Sequence, residues 1–542
     1  MKLFARIICL LIAIVFLNGC NSDAVIEATS YNIVFDSASS DIVDNAHIEN
    51  QNEIIITIDE QIEITIPYEL TLNDVLAIAN KRRQGIKQPD ISIAQELTKG
   101  SATGSINSQV WLSSVARLLL SQEEAIYDAE TYFDMLRYAY GAYTYFGGDE
   151  VFLPIFDKII EALYKQEKWT PLELANEIHS QLSTVIFDNH LSINRKFYTA
   201  EYNFFVWEAP FDKDNSRFRK RDTGLYVAEI AGYNLDDVFR LSMNEEGEFF
   251  YLSVFAEPED KSSNFSIKVI YENGDKEIVN IRKYNPRRWP HQDSSLRYEN
   301  NIPIVTLRKM FNPFTENDSY GLAGKEYIED TVRFLSFAEQ LKDEEIIIID
   351  LRSNQGGYDV LAKMWLYSLT GESIPGNYIY LWRHIVPPDS GIDERLLELE
   401  KILQQQREGF LNSPYIGLAL PFSQYSPLGE NWIVSYLTDR IVSNDKLIVL
   451  LIDRYTLSAG EVFTDLLFNM ENTLVIGQNT GGCLITSGSM NYYLPYSNIR
   501  FDMPPALHIF DETHFREGIG IAPDVWVVGD ALKAALAMLG RR

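Results

Sequence analysis

Lys446-Leu447-Ile448-Val449-Leu450-Leu451-Ile452-Asp453-Arg454-Tyr455-Thr456-Leu457-Ser458-Ala459-Gly460-Glu461 joins an unbroken apolar run to an amphipathic segment, Val462 to Met470. An apolar run of this length, ended by polar turn residues, reads as a strand buried on both faces. The amphipathic segment reads as a helix, so Ser458 stands where a buried strand hands over to a helix start. There the first free N–H groups and the positive end of the helix dipole face the serine and can stabilise an oxyanion. Serine at a helix start is also a common N-cap, and Glu461 three residues later completes a capping box. Both readings stay open on these residues alone.

Working outward, Glu345-Ile346-Ile347-Ile348-Ile349-Asp350-Leu351-Arg352-Ser353-Asn354-Gln355-Gly356-Gly357 is a second buried strand, and it ends in two glycines whose backbone can approach a reacting carbonyl. Around both, strands and helices alternate: strand Ile302–Leu307, helix Lys325–Leu341, helix Asp359–Leu369, strand Tyr378–Arg383, helix Ser458–Met470, strand Thr473–Gly477. Such alternation predicts an α/β domain with a partly parallel sheet over 291–542. Glu394–Arg407 to about Asn431 interrupts it as a helical insertion, placed as a lid near the site.

Upstream the texture changes. Leu225 to Lys283 is β-like with an Asn273-Gly274 turn, the size of a small PDZ-like module over 201–290. Val110 to Ile186 carries apolar and aromatic residues at helical spacing (Ala116, Leu119, Leu120, then Tyr132, Leu136, Tyr140, Tyr143, Tyr145), which predicts a helical bundle over 109–200 with the tyrosines as core. Thr170-Pro171-Leu172-Glu173 marks one helix start by a capping box with proline in the first turn, and that helix should run to about Phe187. It delivers Asp188-Asn189-His190-Leu191 to an element junction. Residues 20–108 begin as a polar tether and continue with strands in Ile54–Ile66 and a helix Thr71–Arg83.

At 542 residues the chain is long enough for roughly three domains. Met1–Gly19 reads as a bacterial lipoprotein signal: Lys2 and Arg6, the apolar stretch Ile7–Phe16, then Leu17-Asn18-Gly19-Cys20, with Cys20 becoming the lipidated first residue. The expected place is the cell envelope, anchored to a membrane by lipid and facing away from the cytoplasm. Removing two positive charges takes the net charge from −30 to about −32, which argues against nucleic acid as a partner. Of three cysteines only Cys483 then remains in the folded part, so no disulfide framework forms there. Its bland role is a packed small apolar side chain. The sequence implies no metal and no cofactor, and it leaves oligomeric state open.

A serine needs a base within hydrogen-bond reach and a group that orients the base. Of seven histidines, His190 lies in an otherwise apolar segment, whereas His47, His291 and His384 lie near polar stretches. A structural role for His190 is the alternative on these residues alone.

Four segments in order, Asp350 to Gly357, Thr456 to Glu461, Gly477-Gln478-Asn479-Thr480-Gly481-Gly482 and Gly518-Ile519-Gly520-Ile521-Ala522-Pro523-Asp524, resemble the signatures of a serine peptidase family. That family holds the C-terminal processing (tail-specific) proteases, the tricorn protease core and the interphotoreceptor retinoid-binding repeats. The resemblance implies a crotonase-like or ClpP-like α/β peptidase core, within an α/β (α+β multidomain) chain, acting on peptides or proteins. In the processing-protease branch a lysine after the third segment is the base; Cys483 stands there, with Leu484, Ile485 and Thr486 next, so the tricorn-like branch fits better. That branch implies Ser458 as nucleophile, His190 as base and Glu517 as distal acceptor, with Asn189 where relatives bridge through a serine. The oxyanion donors would be Ala459 with Gly356 or Gly357. The alternative function is a catalytically inactive ligand- or peptide-binding lipoprotein of the same fold, in keeping with the absent lysine and with Asn189. A glycan-directed lipoprotein, suggested by 12% aromatics, lacks any paired-carboxylate motif.

Overall fold

In the computed structural model, residues 46–50, 53–57, 63–67, 70–99, 110, 117–199, 202–258, 264–310, 325–383, 425–428, 432–435 and 441–540 are described. The signal segment, Cys20, the tether and most of the insertion from Glu394 to Asn431 lie outside them. Among the described residues no helix is long and apolar enough to cross a membrane.

The apolar run forms the strand Leu447–Ile452, with all six residues buried. It lies between Ile346–Asp350 and Thr473–Gly477, parallel to both. Because successive strand residues point to opposite faces, Ile448, Leu450 and Ile452 meet one helical layer and Leu447, Val449 and Leu451 the other. The first layer brings Phe334, Trp365 and Phe463 from the helices Lys325–Gln340, Val360–Thr370 and Ala459–Leu467. The second brings Val75 and Ala79 from Leu72–Gly85 and Ala534, Ala535 and Met538 from Ala531–Gly540. Covered faces on both sides explain why these strands read as continuous apolar runs rather than as alternation. The α/β core is therefore as the alternation predicts.

One predicted core strand goes elsewhere. Tyr378–Arg383 pairs antiparallel with Ala506–Phe510 and Trp432–Ser435 in a separate five-stranded sheet. Its apolar residues Ile379 and Leu381 pack against the helical unit, a long-range choice that local pattern does not carry. The helix from Pro171 ends at Leu182, five residues before Phe187; the hydroxyls of Ser183 and Thr184 bond back to the carbonyls of Ser180 and Gln181 and close it. Its helical neighbours are Gln122–Ala139 and Gly148–Leu163, and Tyr132, Tyr140 and Tyr143 are core residues, whereas Tyr145 is exposed.

The β-rich segment is not detached from the core. Its long strand Tyr202–Asp214 pairs with Phe249–Pro258 on one side, and on the other with Arg217–Lys220 at one end and with Lys283 at Phe205. The strands enclose Phe205, Phe211, Phe218, Phe239 and Phe255. Phe239–Met243 then continues the sheet into the core through a parallel pairing of Ser242 with Trp526, giving thirteen strands. Its one described helix, Leu235–Val238, has four residues.

Candidate active site

Ser458 is the N-cap of Ala459–Leu467, and its backbone sits at φ 51°, ψ −117°. A positive φ is costly for a residue with a side chain and points to a sharp strand-turn-helix junction. The turn is held from both sides: the Ser458 N–H donates to the Glu461 carboxylate (2.9 Å), and the Glu461 N–H donates to the Ser458 carbonyl (2.8 Å). The Ser458 hydroxyl oxygen lies 3.0 Å from Nε2 of His190, a residue 268 positions earlier in the chain. The N-cap and nucleophile readings are thus compatible.

Glu461 is fully buried and anchors the third signature segment as well, accepting from Thr480 Oγ1 (2.7 Å) and from the N–H groups of Gly482 and Cys483 (2.8 Å each). Burial pushes its carboxyl above the ordinary range, against the pull of these donors. The sequence showed Glu461 only as a capping residue; its span to residues 480–483 had no local signal.

His190 is delivered by the strand Asp188–Ile193, which pairs with Arg500–Met503 and Lys196–Tyr198. The buried Asp188 fixes that strand end: its carboxylate accepts from the His190 N–H (2.8 Å), Tyr140 Oη (2.6 Å) and Thr486 Oγ1 (2.8 Å). Burial lowers the imidazole pKa below 6.5 and the negative field of Asp188 partly opposes it, so the ring is neutral at pH 7.

Glu517 reaches this corner but not the imidazole. Its Oε1 accepts from the Asn189 N–H and from Asn189 Nδ2 (3.0 Å each), and its Oε2 from the N–H groups of Leu484 (3.1 Å) and Ile485 (3.0 Å). Asn189 Nδ2 also donates to the Gly482 carbonyl (2.8 Å). Neighbouring residues of a strand point to opposite faces, so the Asn189 amide turns toward Glu517 while the His190 ring turns toward Ser458. The expected relay from Glu517 through Asn189 to the ring is therefore not formed in this geometry. Burial and the nearby Asp188 push the Glu517 carboxyl well above its ordinary range.

The side chain beside the ring is Cys483, whose sulfur lies 3.7 Å from Nδ1 and 3.8 Å from Nε2. Near-equal distances to both nitrogens mark packing against the ring rather than an aligned bond. Burial, with Glu517, Glu461 and Asp188 adding to it, holds the thiol pKa far above its ordinary value, so the sulfur is protonated and unreactive.

Of the three expected oxyanion donors, Gly356 gives its N–H to Asn354 Oδ1 (2.8 Å). Among the described residues the N–H groups of Gly357 and Ala459 have no acceptor. Asn354, unnoticed in the sequence, locks the two loops together: its carbonyl accepts from the Leu457 N–H (2.8 Å) and its amide donates to the Leu307 carbonyl (3.0 Å). A side chain at Gly356 would force the junction to shift, because a Cβ there would meet Ser458 Cβ at 2.7 Å and Ala459 N at 2.9 Å.

The loop after Glu517 is clamped by cations. Arg454 donates to the carbonyls of Ile519 and Gly518 (2.8 Å each). From the helix Leu72–Gly85, Arg83 pairs with the Asp524 carboxylate (2.8 Å) and Arg82 donates to the carbonyls of Pro523 (2.7 Å) and Ala522 (2.8 Å). Among the described residues no cluster of His, Cys, Asp or Glu could hold a metal ion.

Residues 392–527 match the sequence profile of peptidase family S41. Three of the four signature segments fall inside this range. No curated protein matches the chain. Among solved structures, mature CPAF in complex with lactacystin is 13% identical, with 78% of this chain and 97% of that chain covered and a TM-score of 0.37. The photosystem II D1 C-terminal processing protease is 11% identical, covers 76% and 93%, and has a TM-score of 0.32. The tricorn protease is 14% identical over 78% of this chain and 37% of that chain, with a TM-score of 0.32.

Proposed function

We propose that the chain is a serine peptidase of family S41, whose profile residues 392–527 match, and that it is an endopeptidase acting through an acyl-enzyme on Ser458. The observation that carries this reading is the 3.0 Å approach of His190 Nε2 to the oxygen of a serine held at positive φ on a helix start. Neutral His190 takes the Ser458 proton on Nε2 as Oγ attacks the peptide carbonyl. The N–H groups of Ala459 and Gly357 receive the oxyanion. Collapse breaks the C–N bond, His190 returns the proton to the leaving amine, and an ester on Ser458 remains. Water, deprotonated by His190, attacks that ester and releases the acid. A positioned base is worth about 10²–10⁴ in rate and an oxyanion donor about 10²–10³.

The tricorn-like branch is favoured by a histidine base with no lysine after Gly482. Glu517 acts here through the Asn189 backbone, setting where the strand end carrying His190 lies. A second reading, a peptidase fold that binds without cleaving, is favoured by one observation: both Glu517 oxygens are engaged away from the ring. Labelling of the full-length protein by a fluorophosphonate separates the two. Peptidase activity requires labelling that Ser458→Ala and His190→Ala abolish; a folded wild type that takes no label would leave the binding reading. The lipid-anchored, extracytoplasmic placement rests on the sequence of Met1 to Cys20: the charges of Lys2 and Arg6, the apolar stretch Ile7–Phe16 and the run Leu17 to Cys20. Palmitate incorporation that survives Cys20→Ala would sink it.

A further inference from the structure

Glu517 also lines a cavity of about 670 Å³, a size usual for small-ligand sites. Neither Ser458 nor His190 lines it. Its walls are aromatic: Phe146, Phe187, Tyr202, Phe510 and Phe515. At its rim Tyr145 and Phe187 are 41% and 47% exposed, and neighbouring large apolar side chains left in water mark a surface that meets something.

Thr199 and the tyrosines Tyr145 and Tyr202 also line it, and its charged groups are of both signs. Arg516 and Glu512 line the rim, and neither side chain forms a hydrogen bond or ion pair with any described residue. His508 lines the cavity at 4% exposure; its Nδ1 donates to the Leu484 carbonyl (2.7 Å), which leaves Nε2 as a lone-pair acceptor without a described partner. Burial lowers the pKa of this ring to about 4, so it stays an acceptor at neutral pH. Glu517 contributes wall only, because four N–H donors already occupy its oxygens.

Aromatic walls, a cation and an anion without a hydrogen-bonded or ion-paired partner among the described residues, and a buried neutral acceptor together match one ligand chemistry. We propose that this cavity binds a short zwitterionic peptide or amino acid with hydrophobic side chains, its carboxylate at Arg516 and its ammonium at Glu512 and His508 Nε2. This goes beyond the reaction at Ser458 and does not require it. A peptide end bound there touches the carboxyl that positions Asn189, and is chemically what an endopeptidase releases.

The test is calorimetric titration of the full-length protein with Leu-Phe, its N-acetyl form, its C-terminal amide and free phenylalanine. The expected result is binding of Leu-Phe that weakens about tenfold or more when either terminal charge is removed, the scale of one charge-assisted hydrogen bond. Arg516→Gln should abolish the preference for the free carboxylate, Glu512→Gln that for the free ammonium, and Phe187→Ser should weaken all forms. Free phenylalanine binding as tightly as Leu-Phe would make single amino acids the source; tighter Leu-Phe would make it peptide ends. Capped forms binding equally well, rim variants that leave the preferences intact, or no binding by protein shown to be folded would overturn the proposal.

Discussion

Placing a methyl group on Gly356 tests the oxyanion geometry with an internal control. Gly356 has φ +82°, and a Cβ there would lie 2.7 Å from the Leu457 carbonyl oxygen, 2.7 Å from Ser458 Cβ and 2.9 Å from Ala459 N. Carbon atoms prefer about 3.5–4.0 Å, so the junction must move by several tenths of an ångström. The left-handed backbone costs about 1–2 kcal/mol for any residue with a Cβ, and overpacking adds about 1–3 kcal/mol. Gly371 is the control: it has φ +74° and nothing within 4 Å of its hypothetical Cβ, so Gly371→Ala should lose only the backbone part, about 1–2 kcal/mol. Urea unfolding of the two variants reads the difference. The methyl group also crowds the Ala459 N–H, so Gly356→Ala should lower fluorophosphonate labelling and peptide turnover by about 10²–10³, while Gly371→Ala leaves both near wild type. A folded Gly356→Ala protein that labels at the wild-type rate would show that charge does not develop at the 459 amide.

The same geometry fixes other outcomes. A base must be unprotonated to act, and burial lowers the His190 pKa below 6.5, so labelling rate should fall with an acid-side midpoint below pH 6.5; a midpoint at or above pH 7 would contradict the buried environment. Cys483 should resist iodoacetamide in the folded protein at pH 8 and react on unfolding, read by mass spectrometry. Asp350 lies between the guanidinium groups of Arg308 (2.9 Å) and Arg352 (2.8 Å), all nearly fully buried, and Asp350→Asn should cost about 3–5 kcal/mol by urea unfolding because two buried cations lose their shared anion. Burial opposes ionisation of Asp350, yet the two arginines hold its pKa well below 3.8; its contribution is therefore complete above that pH and fades as pH falls toward the lowered value.

What the sequence made legible was local. The run Leu447–Ile452 and the capping box at Thr170, where the Thr170 N–H meets Glu173 (2.9 Å), depend on neighbours in the chain, so pattern and turn chemistry sufficed. The serine at the head of its helix was legible for the same reason. The partnership of Ser458 with His190 came through resemblance, since strand pairing between 188–193 and 500–503 leaves no local trace. Two details escaped because they depend on which way a side chain turns: Asn189 faces away from the ring, and Cys483 packs beside it. The grip of Arg82 and Arg83 on the loop at 522–524 was hidden for another reason, because a basic pair ending an amphipathic helix looks the same whether solvated or buried.

The 268 positions between His190 and Ser458 also order events in time. A chain made from its N-terminus carries the base long before the nucleophile, and the strand that seats the base, Arg500–Met503, comes later still. Cleaving power would thus arise only when nearly the whole polypeptide exists and its distant parts have closed on one another. A nascent copy holds a base with no serine to activate, and a half-folded one holds the two apart, which protects both itself and its neighbours from premature digestion.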